Sequence, residues 1–191
     1  FRSIKTQGQK IYLNNREIQF KGIAMHSEPI GISGPAFSKE HFQTLLLTAK
    51  DLNINFIRAA HYPYTRHLAK IADRFGIMLW EEVPVYWNID WDNSKTLNIA
   101  KNQITRLVQR DQNRASVVVW SVANETPLSS SRMKFLNALL SQIELNDSSR
   151  LSTAALLSGS EEQFRSLVLV LALQGAKSQW VGPKEKTIFL Y

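Results

Sequence analysis

The sequence predicts an α/β fold in which strands and helices alternate from Gly22 onward and the strands form a parallel sheet. Short runs of β-branched and aromatic residues recur along the chain, and apolar residues repeat at helical spacing between them. Four of the predicted strands also end in polar side chains, as in parallel folds whose sites lie at the carboxyl ends of strands. Such alternation predicts right-handed crossovers between neighbouring strands.

Composition narrows the class of protein. At 191 residues and 44% apolar content the chain is long enough for one globular domain with a sizeable core. No apolar run reaches the roughly 20 residues of a membrane helix, so no membrane partner is expected. The net charge of +7 is spread along the chain without a basic run or a nucleic-acid motif, which favours a solvated surface over nucleic-acid binding. The absence of cysteine excludes disulfides and thiolate chemistry.

The elements follow in order. Asn14 and Asn15 tolerate the positive φ of a tight turn, which predicts a hairpin between the apolar runs 11–13 and 17–20. The strands of the parallel sheet are predicted at residues 22–25, 55–60, 77–80, 117–123 and 151–156. Ser38 and Ser94 are the expected helix caps, and Gly76 is an expected helix end. The helices are predicted from apolar residues at 3.6-residue spacing: Phe42, Leu45, Leu46 and Ala49; Leu68, Ile71, Ala72 and Phe75; Leu97, Ala100, Ile104, Leu107 and Val108; Met133, Leu136, Leu140 and Ile143.

Groups that bind or transfer protons follow four of these strands: His26 and Glu28, Arg58 and His61, Glu81 and Glu82, Asn124 and Glu125. In a barrel all of them would lie on one face. A doubly wound sheet would place its site at one switch point, usually beside a glycine-rich phosphate loop. Neither GxGxxG nor GxxxxGK[ST] occurs in the sequence, so nucleotide binding is unsupported.

The chemistry these groups favour is glycoside hydrolysis, which requires one carboxylate as proton donor and another as nucleophile or base. His26 and His61 could bind a metal with Glu81 or Glu82, but without HxH or HExxH spacing a hydrogen-bonding role is favoured. No serine lies in a GxSxG elbow, which argues against a hydrolase triad. Four aromatic residues of the predicted rim could stack on sugars, although loop packing explains each one singly: Tyr62, Tyr86, Trp87 and Trp91.

Two motifs make the sequence recognisable. Residues 58–63, Arg-Ala-Ala-His-Tyr-Pro, and residues 120–125, Trp-Ser-Val-Ala-Asn-Glu, resemble glycoside hydrolase family 2, which includes β-galactosidases, β-glucuronidases and β-mannosidases. Residues 20–23 with His26, and residues 80–84, support the resemblance. It covers residues 1–156 and implies a partial (β/α)8 TIM barrel, roughly its first four to five β/α units. It also implies a retaining enzyme that acts on β-linked sugars.

The resemblance implies a role for each site residue. Glu125 matches the general acid/base, and Asn124 matches the residue that binds the sugar hydroxyl next to the anomeric carbon. The positions that line or support the sugar subsite are matched by His26, Arg58, His61 and Glu82. Strand alternation alone does not choose Glu82 over Glu81. Magnesium-binding members carry Glu-x-His where residues 85–88 read Val-Tyr-Trp-Asn, so neither a metal nor another cofactor is predicted.

The resemblance ends near residue 157, and residues 157–191 form a divergent tail in which a capping box at 160–163 and apolar spacing favour a helix. The chain starts without an initiator methionine, as a segment of a longer protein would. The family's nucleophilic glutamate lies on a late barrel strand, so a truncated or frame-shifted, inactive hydrolase is expected. Open barrel edges would favour self-association. The alternative is a non-catalytic half barrel that binds sugar or is merely structural.

Overall fold

The computed structural model describes residues 2–8, 10–28, 31, 33–127 and 129–156. Two sheets account for the strands. The first holds β1 (Ile4–Gln7), β2 (Lys10–Leu13) and β3 (Arg16–Ile18), and the second holds β4 (Gly22–Met25), β5 (Phe56–Ala59), β6 (Met78–Glu82), β7 (Val117–Thr126) and β8 (Leu151–Leu156). The helices are α1 (Lys39–Asp51), α2 (Arg66–Phe75), α3 (Ser94–Asp111) and α4 (Ser130–Asn146).

The second sheet is parallel throughout, and its spatial order β4-β5-β6-β7-β8 is also the order of the strands in the chain. One helix lies between each strand and the next. Strands that each pair with their predecessor through a helical crossover are the arrangement of the first five strands of a (β/α)8 barrel. The predicted fold class is therefore confirmed, and the tail of residues 157–191 with its predicted helix lies outside the described residues.

The ends of the helices follow from local chemistry. The Ser38 hydroxyl accepts a hydrogen bond from the backbone N–H of His41 at 3.2 Å, as predicted. Gly76 ends α2 in the left-handed conformation, at φ 67°, which glycine adopts without a Cβ penalty. The prediction that Ser94 caps α3 is wrong. Asn93 caps it, since its side-chain oxygen accepts from the N–H groups of Lys95 and Thr96, and Ser94 becomes the first helical residue.

The strands of the parallel sheet alternate between two environments. Ile57 and Ala59 on β5, like Leu79 on β6, pack in the large core between the sheet and the helices. The intervening side chains point to the other face, the interior of the barrel, where Phe56 joins a smaller apolar cluster. Arg58 lies one period further along β5, so the interior face is apolar near the start of the strands and charged at their carboxyl ends.

The three-stranded antiparallel sheet closes the amino-terminal end of this interior. The predicted hairpin turn is confirmed, with positive φ at Asn14 and Asn15, but β1 was not predicted and pairs with β2 in the register Ile4↔Leu13. The Phe20 ring stacks on the Phe56 ring with centroids 4.0 Å apart. The smaller cluster is apolar and joins both sheets through Ile4, Phe56, Met78, Val118 and Val119, with Ile11, Leu13, Ile18, Phe20, Trp80 and Leu151 packed against it.

Arg2 ties the same end of the barrel together. Its Nε donates to the carbonyl oxygen of Ala115 at 2.9 Å, and its Nη2 donates to that of Val117. Val117 is the first residue of β7 and Ala115 comes two residues before it, so the first residues of the chain are joined to the start of its fourth parallel strand. Within the described ranges, no helix is long and apolar enough to cross a membrane.

Candidate active site

Four of the six predicted site residues meet at the carboxyl ends of β5, β6 and β7. Arg58 links the other three, because its guanidinium donates to the Glu82 carboxylate and to the side-chain oxygen of Asn124. His61 approaches the same carboxylate from the segment after β5. The four residues form one hydrogen-bonded group, which we term the polar cluster: Arg58, His61, Glu82 and Asn124.

Glu82 is the centre of the polar cluster and is only 1% exposed. Its Oε2 accepts from Arg58 Nε at 2.9 Å and from Trp80 Nε1 at 2.7 Å, and its Oε1 lies 3.2 Å from Arg58 Nη2 and 2.6 Å from His61 Nδ1. The Arg58 guanidinium also lies over the Trp80 ring, 4.9 Å from its centroid. A buried ion pair is stable when further hydrogen bonds satisfy it in this way. The arrangement holds the Arg58 guanidinium in one place.

Asn124 joins the polar cluster to the loop after β6. Its Oδ1 accepts from Arg58 Nη2 at 2.6 Å. Its backbone N–H donates to the carbonyl of Val85 at 2.9 Å, and its own carbonyl accepts from the N–H of Trp87 at 3.2 Å. The pairing of β7 with β8 is irregular on both sides of Asn124, so the tip of β7 is held partly by residues 85–87 instead. Beyond this irregularity Thr126 still pairs with Leu156.

Glu125 extends from the same strand tip into a different environment. Its side chain is exposed, and its backbone takes a positive φ of 48°. The Trp87 indole contacts its carboxyl group, and Nε1 of the indole donates a hydrogen bond to Oε2 at 3.2 Å. A carboxyl group that solvent can reach beside a buried polar cluster is also open to a ligand.

His26 lies beside the polar cluster and not within it. Its exposed ring meets the His61 ring edge to face, with centroids 5.3 Å apart, and lies 6.1 Å from the Tyr62 ring. Among the described residues no hydrogen bond joins His26 to the four members. It therefore forms part of the rim around the polar cluster.

Glu81 lies on the opposite face of β6 from Glu82, towards α3. Its side chain is 2% exposed, Arg110 Nη2 is 4.0 Å from its Oε2, and that oxygen has no hydrogen-bond partner among the residues described. Burial raises the pKa of Glu81 well above its usual value, and the neighbouring Asp111 raises that pKa further while Arg110 opposes the shift. The Glu82 carboxyl group thus lies in the polar cluster and the Glu81 carboxyl group between β6 and α3. Strand alternation alone did not predict which of the two would face the site.

The four rim aromatics divide into two pairs. Tyr62 and Trp91 are partly buried, Tyr62 stacks on Tyr64 at 5.4 Å, and Trp91 packs edge to face on Phe135 at 5.3 Å. Tyr86 and Trp87 are 37% and 64% exposed and pack on each other edge to face, with centroids 5.4 Å apart. Only this second pair keeps apolar surface free for a ligand at the site.

The positions of the acidic and histidine side chains bear on metal ligation. Within the part of the chain that the structure describes, no three histidine, aspartate or glutamate side chains are grouped closely enough to hold a metal ion. His26 and His61 lie together, but the nearby carboxylate of Glu82 is already engaged by Arg58 and Trp80. The absence of a metal in the reaction remains a prediction.

Comparison with protein families matches residues 4–169 to the family described as glycosyl hydrolases family 2, TIM barrel domain. Among curated proteins, the chain is 32% identical over 139 residues to a β-glucuronidase of Streptococcus agalactiae, covering 65% of this chain and 23% of that protein. It is 33% identical over 135 residues to a β-glucuronidase of Paenibacillus borealis, covering 65% and 22% respectively. The chain thus spans about a quarter or less of the length of these relatives.

Solved structures give the same fold. A family 2 β-galacturonidase from Eisenbergiella tayi, bound to galacturonate, superposes with a TM-score of 0.75 at 26% identity, covering 81% of this chain and 28% of that one. A family 2 member from Bacteroides cellulosilyticus has a TM-score of 0.77 at 22% identity, covering 87% and 22%. The match in both cases is to a minor part of a much longer protein.

Proposed function

The chain belongs to glycoside hydrolase family 2, and from that premise we propose that it is the first part of the catalytic barrel of a retaining enzyme that hydrolyses β-linked sugars. The observation that carries the proposal is the polar cluster with Glu125 beside it at the carboxyl ends of the strands. In a barrel fold these ends form the active-site face. The β-glucuronidase and β-galactosidase relatives favour a β-glycoside as the substrate.

In this proposal Glu125 is the general acid/base. Its proton passes to the oxygen of the glycosidic bond while the bond from that oxygen to the anomeric carbon breaks, and the bonding electron pair leaves with the oxygen. A second carboxylate bonds to the anomeric carbon, and water later releases the sugar while Glu125 takes the proton back. The exposure of Glu125 and its place at the end of β7 suit a group that must reach a bound substrate.

The polar cluster supplies the sugar subsite of this proposal. Arg58 and Glu82 fix Asn124 through the 2.6 Å contact from Arg58 Nη2, so that the Asn124 amide can bind the sugar hydroxyl next to the anomeric carbon. His61, with His26 beside it, lines the open side. Because these groups are already hydrogen-bonded to one another, little rearrangement is needed when a sugar binds.

The second carboxylate is assigned to a segment outside the described residues. A retaining mechanism needs it about 5 Å from the acid/base. Glu82 is engaged by Arg58, His61 and Trp80, and Glu81 lies on the other face of β6. On this proposal residues 4–169, which match the barrel domain of the family, hydrolyse a glycoside only together with that second carboxylate.

The role of Glu125 is tested in a barrel completed with the late strands of the Paenibacillus borealis relative, comparing the parent with Glu125→Gln. Substrates with poor leaving groups need protonation and those with good ones do not. We expect cleavage of a β-linked disaccharide to fall by about 10²–10⁴-fold, while the glycosylation step of an activated aryl glycoside changes little. Asp51→Asn, an exposed carboxyl at the end of α1, is the matched control and should leave both rates unchanged.

Three outcomes would count against the proposal. Equal losses on both substrates would mean that Glu125 is not the proton donor. The isolated chain should neither turn over a fluorogenic panel of β-glucuronide, β-galactoside and β-mannoside nor form an adduct with a 2-fluoro glycoside. Turnover above a Glu125→Gln control, or a covalent adduct by mass spectrometry, would place the nucleophile within this chain. Failure to bind any of these sugars would favour a purely structural half barrel.

A further inference from the structure

Trp87 is the residue that contacts the side chain of Glu125. The indole Nε1 donates to Glu125 Oε2 at 3.2 Å, and the Trp87 backbone N–H donates to the carbonyl of Asn124 at 3.2 Å. Both Trp87 and Glu125 take positive φ values, 56° and 48°, which are uncommon for residues with a Cβ. Trp87 is thus bonded to Glu125 through its side chain and to the neighbouring Asn124 through its backbone, and backbone strain of this kind concentrates at functional sites.

The ring of Trp87 is also available to a ligand. It is 64% exposed although it lies at the active-site end of the barrel. Its edge-to-face contact with Tyr86 at 5.4 Å steadies it, and Tyr86 in turn lies 6.3 Å from the His61 ring of the polar cluster. A large apolar ring held in place but left open is typical of a surface on which a planar or sugar group stacks.

The position of Trp87 relative to the proposed reaction indicates which group would stack there. A general acid protonates the oxygen that joins the sugar to its leaving group, so it stands between the two. Arg58 and Asn124 belong to the polar cluster, where the sugar is assigned, and the Tyr86 ring contacts both the His61 ring of that cluster and the Trp87 ring. The exposed Trp87 ring, which is bonded to the proposed acid and lies outside the polar cluster, is therefore assigned to the leaving group.

We propose that Trp87 has two linked roles: its indole N–H holds the Glu125 carboxyl in position, and its exposed ring binds the leaving group of the substrate. The inference rests on the proposed function, since it takes Glu125 as the acid/base. The leaving groups that suit it are aromatic rings and pyranose rings, both of which present a flat face. Trp87 then favours aryl glycosides and oligosaccharides over glycosides with small alkyl leaving groups.

The test uses the full chain and two pairs of probes, phenyl and methyl β-D-glucuronide and phenyl and methyl β-D-galactoside. Binding is followed by NMR through the indole N–H signals and the side-chain signals of His61 and Asn124. In the pair whose sugar the chain binds, the phenyl glycoside should bind about three- to tenfold more tightly than the methyl glycoside, the range expected for one aromatic contact. It should also shift the Trp87 indole signal, which the methyl glycoside leaves nearly unchanged.

Variants separate the two roles of Trp87. Trp87→Ala should abolish the preference for phenyl, whereas Trp87→Phe should retain most of it, because a flat ring remains. Phe37→Ala is the matched control, since Phe37 is 66% exposed and follows β4, and it should retain the full preference. Glu125→Gln should move the Trp87 indole signal in the absence of sugar, because the carboxyl group that accepts its N–H is replaced by an amide.

The results that would overturn the inference differ from those that would overturn the proposed function. A phenyl preference that survives Trp87→Ala, with His61 and Asn124 still responding to the methyl glycoside, would refute the role of Trp87 and leave the sugar subsite intact. If the Trp87 indole signal does not change in the Glu125→Gln variant, Trp87 does not position Glu125. If no glycoside shifts the NMR signals of His61 or Asn124, the proposed sugar subsite is wrong, and the inference about Trp87 is refuted with it.

Discussion

Glu81 and Glu82 are adjacent in the chain and equally buried, yet they lie in opposite environments. Glu82 faces the barrel interior, where Arg58, Trp80 and His61 surround its two oxygens. Glu81 faces the helices, where its Oε2 has no hydrogen-bond partner among the described residues and Asp111 lies nearby. A shift of one residue along the strand therefore decides whether the carboxyl group has hydrogen-bonding partners or is buried without them, which lowers the stability of the fold.

The largest expected effect comes from making the same change at each position. Glu82→Gln leaves the Arg58 guanidinium, only 6% exposed, without its charged partner, and should lower the free energy of unfolding by about 3 kcal/mol or more. Glu81→Gln should change it by less than about 1 kcal/mol in either direction, because no short ion pair is broken and a neutral amide replaces a carboxyl group whose pKa burial raises. Urea denaturation followed by circular dichroism measures both. Equal losses would show that the two sites do not differ energetically.

A second prediction concerns pH. The raised pKa of Glu81 means that the folded chain keeps a proton which the unfolded chain releases above about pH 4.5, so stability is full below that pH and falls as the pH rises towards the raised pKa. The slope should reach about 1.4 kcal/mol per pH unit at most. Asp111, Arg110 and Arg150 are the charged groups acting on this carboxyl.

This pH dependence should be specific to Glu81. When unfolding is compared at pH 5, 6 and 7, the Glu81→Gln variant should lack that part of the slope, and subtracting the two curves removes the contributions that both proteins share. Parallel curves for the two proteins would mean that Glu81 titrates alike in the folded and unfolded chains. The environments of Glu81 and Glu82 would then be less different than their contacts indicate.

A further variant tests how much the stability of the polar cluster depends on the hydrogen bond from Arg58 to the uncharged side chain of Asn124. Asn124→Ala removes the acceptor 2.6 Å from Arg58 Nη2 but keeps the ion pair, so it should cost about 1–2 kcal/mol in free energy of unfolding. Lys10→Met is the control, because the Lys10–Glu17 pair is exposed and screened, and it should not change the denaturation midpoint. A loss at Asn124 as large as at Glu82 would mean that the ion pair contributes little by itself.

Much of the fold could be predicted from the sequence because its signals are local. The strand runs, the apolar spacing of the helices, the Ser38 cap and the Gly76 helix end each depend on a few adjacent residues. The error at Ser94 has the same origin, since Asn93 one position earlier is an equally good cap. Strand β1 was missed because residues 4–7 carry a single buried apolar side chain and become a strand only by pairing with β2.

The candidate site could be predicted only in part. The motifs identified the residues, and the structure brings four of them into contact: Arg58, His61, Glu82 and Asn124. Contact alone does not assign a role in catalysis, so their roles stay proposals. The face on which Glu82 lies could not be read from β6, because side chains on both faces of that strand are buried. The contact between Trp87 and Glu125 depends on positive φ values at two residues other than glycine, and no sequence signal indicates those.

The closure of the barrel's amino-terminal end by Arg2 has a consequence for the order of folding during translation. Each parallel strand pairs with the one made just before it, so the sheet can grow as the chain leaves the ribosome. The contact from Arg2 to the carbonyl of Val117 spans 115 residues, and at 5–20 residues per second its acceptor is synthesised roughly 6–23 s after Arg2. The first strands must therefore persist, or be held by a chaperone, with that end of the barrel still open.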